Sequence, residues 1–131
     1  MLSEPSSQET FSTFGKGLLQ DEATADFTIR CETKSFRVHK AILCARSEVF
    51  RAAILTDMME AAKGEIFVED LGEKTLATIL HFIYTGELEL GEDPDILELA
   101  WAGTKYLLPG FMDLLTVQVK GNLQEGLSGH R

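Results

Sequence analysis

Apolar residues recur along this chain at two spacings, and the switches between them divide it into elements. In "TFSTFGKGLLQ", Phe11, Phe14, Leu18 and Leu19 fall near i, i+3, i+7 and i+8, the stripe of an amphipathic helix. Gly15 and Gly17 weaken that helix by about 1 kcal/mol each relative to alanine. It therefore needs something to pack against. "ADFTIRCE" alternates instead, with Phe27, Ile29 and Cys31 on one face and Thr28, Arg30 and Glu32 on the other. "TKS" makes a tight connection, and "FRV" resumes the alternation with Phe36 and Val38 inward, so the pair is a hairpin with one wet face.

After Val38 the period lengthens. Ala41, Ile42 and Ala45, then Val49, Phe50, Ala53 and Ile54, are spaced for two short helices that meet at Ser47, a good N-cap residue without the partner of a full capping box. "GEIFVEDLG" predicts a third strand, with Ile66 and Val68 on one face and Gly72 as its end. "EKTLATILHFIYTG" is the strongest helix, aligning Leu76, Ile79, Leu80 and Ile83 and stopping at Gly86. "ELEL" predicts a short strand. Pro94 fits the first turn of a further helix running to Tyr106, and Pro109 opens the last, with Phe111, Leu114, Leu115 and Val119 inward. The order predicts an α/β (α+β) domain, a small mixed sheet capped by a helical cluster.

A length of 131 residues suits one core, and 44% hydrophobic with 25% charged residues is ordinary for a compact domain. Two cysteines make no disulfide framework, and with three histidines they form no recognisable zinc pattern, which suits a reducing compartment, cytoplasmic or nuclear. The N-terminal stretch shows no secretion signal, and the chain has no apolar run long enough for a membrane span. The net charge of −9 disfavours direct nucleic-acid binding. That charge is concentrated: residues 57–98 hold twelve acids and two lysines, a net −10, which either solvates one face or steers a basic partner.

The stretch "FRVHKAILCARSEVF" raises one candidate for chemistry, a Cys44 nucleophile with His39 as base. Five helical residues place the two about 140° apart on the wheel, facing different ways. Cys44 between Leu43 and Ala45 reads as a small buried hydrophobe, and His39 as a hydrogen-bonding group at the strand-to-helix junction. GxSxG, HExxH, GxxxxGK[ST] and GxGxxG are all absent. No catalytic, cofactor-binding or metal residues are expected.

The segments Asp26-Phe27, His39-Lys40-Ala41-Ile42-Leu43, Arg46-Ser47, Val49-Phe50, "FIYTG" from Phe82 to Gly86, and Lys105-Tyr106 together resemble the BTB/POZ domain, most closely that of the MATH-BTB adaptors of the speckle-type POZ kind. The resemblance covers roughly residues 10–123, with 1–9 as a flexible lead-in and 124–131 as a flexible tail. It implies a non-enzymatic interaction module that homodimerises and serves as the cullin-3-binding part of a ubiquitin-ligase substrate adaptor. It also implies dimer contacts at Phe11, Phe14, Leu18 and Leu19, with a charged pair, Asp26 and Lys40, at the dimer centre. Cullin-binding members carry a hydrophobic-x-Glu motif matched here by Met58-Met59-Glu60, and Tyr106 matches a family tyrosine that would join Met58 and Glu60 on that surface. The rival is a self-association scaffold of a transcriptional regulator, holding corepressor peptides in the dimer groove. Residues 1–9 lack the alternating apolar strand exchanged between subunits in zinc-finger members, and the chain has no room after its last helix for the helical pair that strengthens cullin binding. Gly103 stands inside a predicted helix where the family usually has a larger residue.

Overall fold

The computed structural model describes residues 7–129, including the side chains of residues 11–122. The elements are α1 (Ser7–Gln20), β1 (Phe27–Cys31), β2 (Lys34–Val38), α2 (Lys40–Arg46), α3 (Glu48–Glu60), β3 (Glu65–Phe67), α4 (Glu73–Thr85), α5 (Ile96–Lys105) and α6 (Phe111–Gly129). The predicted class holds: a three-stranded mixed sheet in the order β2-β1-β3 accompanies six helices. β1 and β2 run antiparallel with Phe27 opposite Val38 and Cys31 opposite Lys34, while β3 runs parallel to β1 with Ile66 beside Ile29.

The hairpin turns more tightly than the predicted "TKS" connection. Glu32 and Thr33 alone make the turn, with Glu32 at φ 55°. Its two side-chain partners explain why so tight a turn is held. The Glu32 carboxylate accepts from Glu73 N at 2.9 Å, and Glu73 Oε2 in return accepts from both Thr33 N and Thr33 Oγ1 at 3.1 Å. Gly72 offers no capping side chain to α4, so Glu32 and Glu98, the latter accepting from Gly72 N at 3.2 Å, satisfy donors there.

α4 is the centre of the core, burying Leu76, Ile79, Leu80, Phe82, Ile83 and Tyr84, and Gly86 ends it at φ 77° as its left-handed cap. Phe27, Ile29 and Cys31 from β1 share that core, as do Leu43, Phe50 and Ile54 from α2 and α3. α2 and α3 join at Ser47 as predicted, and its hydroxyl accepts from Phe50 N at 3.2 Å.

Three expectations change. Residues 87–90 form no strand, and among the described residues nothing pairs with them in a ladder. Leu88 is still buried, and its carbonyl accepts from Gln118 Nε2 at 2.7 Å, so packing alone reproduces the alternation that suggested a strand. β3 is three residues long, ending well before Gly72. Pro94 precedes α5: Asp95 is the N-cap, accepting from Glu98 N at 3.0 Å. α1 begins at Ser7 and α6 runs to Gly129. Residues 1–6 of the predicted lead-in, and 130–131 of the tail, lie outside the described residues.

Gly103 is a close-packed position. A Cβ there would stand 2.5 Å from Phe111 Cδ2, so the absent side chain lets Phe111 of α6 reach the core and meet Phe82 edge-on at 5.2 Å.

Candidate interaction surfaces

The strand-to-helix hinge is a closed hydrogen-bond relay. His39 N donates to Tyr84 Oη at 2.9 Å, and the same hydroxyl lies 2.8 Å from His39 Nδ1. The one Thr24 hydroxyl proton is committed to Asp21, so Nε2–H donates to Thr24 Oγ1 at 2.9 Å and Nδ1 accepts from the Tyr84 hydroxyl. Thr24 passes on to Asp21 Oδ2 at 2.9 Å. Burial, with the charge of Asp26 adding to it against the opposing bond from His39, pushes the Tyr84 hydroxyl up to about 12. His39 is thus committed to holding α2 on α4, and its ring partners are Tyr84 and Thr24 rather than Cys44. Cys31 is buried with its thiol on Leu71 O at 3.1 Å, and burial, reinforced by Glu32 and Glu73, raises its pKa away from reactive values.

α1 turns its small side inward. Ser12 and Gly15 are buried toward α4, Leu18 and Leu19 are half-buried against the core, and Phe11 and Phe14 remain 46% and 66% exposed. The helix that needed a packing surface has found one and still offers two phenylalanines outward. Asp26 and Lys40 meet, but not as the expected ion pair: the Asp26 carboxylate accepts from the Lys40 backbone N–H at 2.8 Å. The reason is local. His39, the N-cap of α2, makes no side-chain cap bond, so the first free N–H of α2 takes the nearest carboxylate.

The last turns of α3 carry an exposed apolar set: Leu55 at 39%, Met58 at 49% and Met59 at 86%, with Glu60 exposed beside them. Asp57 closes the turn that follows, its carboxylate accepting from Lys63 N at 3.2 Å and Gly64 N at 3.0 Å. The chain then enters β3, which leaves Phe67 65% exposed. The inward positions Ile66 and Val68 already implied that Phe67 points out, and this contribution was missed from sequence.

Tyr106 lies beneath the surface, only 6% exposed. Its ring stacks on Phe50 at 4.9 Å, its carbonyl accepts from Ser47 Oγ at 2.7 Å, and its hydroxyl donates to Asp70 Oδ1 at 3.0 Å. Phe50 and Met58 are eight residues apart on α3, about 12 Å along its axis, so Tyr106 packs on the first turn of α3 and Met58 stands in its last. What Tyr106 does hold at the surface is Asp70, which also binds Lys105, whose ammonium in turn sits 5.1 Å over the Trp101 ring. Burial alone would raise the Asp70 carboxyl, but the hydrogen bonds from Lys105 and Tyr106 prevail and hold it below the usual carboxylate range. Burial and Asp70 together push the Tyr106 hydroxyl above the usual tyrosine range.

These elements belong to a known family. The BTB/POZ domain matches residues 16–123, most of the chain, and the chain is a member of that family. It is 36% identical over 77 residues, 59% of its length, to Kelch-like protein 40 of Xenopus laevis. It is 30% identical over 112 residues, 81% of its length, to Kelch repeat and BTB domain-containing protein 4 of Mus musculus. It spans only 12% and 21% of those two proteins. Among solved structures, the BTB domain of zebrafish PATZ1 aligns with a TM-score of 0.69 at 22% identity, over 92% of this chain and 99% of that one. The BTB domain of human gigaxonin aligns with a TM-score of 0.64 at 21% identity, over 92% and 96%. The family is the one expected, but these relatives are kelch-type proteins and PATZ1, so the finer likeness to MATH-BTB adaptors is replaced by one to kelch-type members.

Proposed function

We propose that the chain is a self-associating BTB module that docks a cullin-3 type scaffold, so that whatever it carries is brought to ubiquitin transfer in the cytoplasm or nucleus. The observation that carries this is the end of α3, where Met58 and Met59 stand 49% and 86% exposed beside the Glu60 carboxylate. Methionine adapts to an incoming apolar surface, and a neighbouring carboxylate fixes its register. Similarity to the kelch-type proteins supports the choice of partner. On this reading Met58 and Glu60 touch the scaffold, while Tyr106 acts from below by holding Asp70 and Lys105. Self-association would use the outward phenylalanines of α1, with Leu18, Leu19, Asp26 and Lys40 at its margin. The acidic stretch 57–98 would steer a basic face of the scaffold toward α3.

A groove of about 220 Å³ beside the edge strand β2, lined by Leu19, Phe36 and Val38, favours the second reading, a scaffold that receives an extended corepressor peptide. The mass by light scattering, alone and mixed with the N-terminal domain of cullin-3, separates the two. A dimer taking up one cullin per subunit supports the adaptor. A dimer that ignores cullin and binds a peptide shifts the assignment to the scaffold.

A further inference from the structure

At the end of α4, outside the surfaces described above, three metal-ligating side chains converge. His81 stands in the last full turn of the helix. Gly86 then turns the chain back through its left-handed conformation, and the extended run that follows puts Glu87 and Glu89, two residues apart, on one side. One donor atom from each of His81, Glu87 and Glu89 lies within 4.8 Å of the others. The imidazole is the telling member. Its Nε2 is closed to solvent and has no hydrogen-bond partner, the one such side-chain atom among the described residues. Glu89 Oε1 is nearest at 3.7 Å, too far for a hydrogen bond. A buried polar atom without a partner is rare enough in a folded chain to ask for an explanation.

We propose that His81, Glu87 and Glu89 form a binding site for a first-row divalent metal ion of the zinc type. One imidazole nitrogen and two carboxylate oxygens are a mixed borderline-hard set: imidazole suits zinc, and the carboxylates disfavour soft ions such as Cu(I). Bonds of about 2.0–2.2 Å to zinc set neighbouring donors roughly 3.5 Å apart. Closing to that separation asks only for rotation of the glutamates, whose side chains are 35% and 62% exposed. Water completes the coordination. The bound ion ties the end of α4 to residues 87–90, the segment that has no ladder partner among the described residues. It also competes with Lys16 of α1, whose ammonium lies 4.0 Å from Glu87 Oε1.

The test is calorimetric titration of the reduced, chelator-stripped chain with zinc chloride, with cobalt(II) absorption spectra in parallel. One saturable equivalent is expected, without the thiolate charge-transfer band that cysteine ligation would give. His81→Gln and Glu89→Gln should each weaken uptake by more than about tenfold, and Lys16→Ala, which removes the competing cation, should strengthen it. No saturable uptake would overturn the site. Uptake undiminished in His81→Gln would do the same, since it would belong to His130 or the cysteines. Should His81→Gln fail to fold, Glu89→Gln decides alone, because the Glu89 side chain makes no hydrogen bond among the described residues and its loss leaves the fold intact.

Discussion

Gly15 of α1 rests directly on the backbone carbonyl of Tyr84 in α4, and a Cβ at position 15 would fall inside the contact radius of that oxygen. The obstructing atom belongs to a core helix and cannot rotate aside. Gly15→Ala should therefore cost about 1–3 kcal/mol, although alanine is the better helix former by about 1 kcal/mol. Gly17→Ala, where a Cβ meets nothing within 4 Å, should gain up to about that amount. Urea denaturation of both variants checks the pair. Equal gains would mean that α1 does not lie against α4.

This contrast shows where sequence reading ran short. Periodicity located α1, and Phe27, Ile29, Cys31, Leu76, Ile79, Leu80 and Ile83 are all buried as their spacing required. Yet both glycines looked alike as weak points of a helix, because only the packed neighbour distinguishes a close approach from an open site. Leu88 misled for the opposite reason: alternation reports which side is buried, not whether a ladder partner exists. Asp26 and Lys40 were expected as charges, and one of them was drawn to a backbone donor that no pattern of side chains reveals. At the end of α3, Met58 and Glu60 are exposed side chains, whereas the burial of Tyr106 depends on Phe50 and Ser47, far away in the chain.

Ser47 does two jobs with one hydroxyl. It accepts from Phe50 N as the cap of α3 and donates to Tyr106 O, while only 2% of the residue is exposed. Ser47→Ala removes a cap worth about 0.5–2 kcal/mol and strands a buried carbonyl, about 1–3 kcal/mol more. Thermal and urea unfolding should both show a loss toward the upper end of those ranges. A loss near zero would mean that the junction of α2 and α3 is held by something else.

The chain has two tyrosines, and both hydroxyls are buried and hydrogen-bonded. Tyr84 is raised to about 12 by burial and Asp26, against an ordinary value of about 10. A raised pKa in the fold contributes stability that is complete below the unfolded value and is lost as pH climbs through the folded one. The native chain should therefore show no phenolate absorbance change around pH 10, and its stability should fall as pH rises from about 10 toward 12. Phenolate formation should coincide with loss of helical circular dichroism. A reversible tyrosine titration near pH 10 in the folded chain would contradict the burial of both rings.

Met58 and Glu60 carry no fold-wide burden, so their replacement separates docking from folding. Both are exposed at the end of α3, where substitutions cost within about 0.5 kcal/mol of stability. If the scaffold seats there, Met58→Ala with Glu60→Ala should weaken binding of the cullin-3 N-terminal domain by at least about 30-fold, the loss of 2 kcal/mol or more that marks an interface hot spot. The mass of the chain alone should not change. Phe14→Asp on α1 should behave in the opposite way: the isolated chain should fall to half its mass in light scattering, while its circular dichroism is retained, because Phe14 is 66% exposed in the single subunit. Calorimetry on the first variant and light scattering on the second assign the two surfaces independently. Unchanged cullin affinity in the Met58 and Glu60 double variant would remove α3 as the docking element, whatever the mass of the Phe14 variant shows.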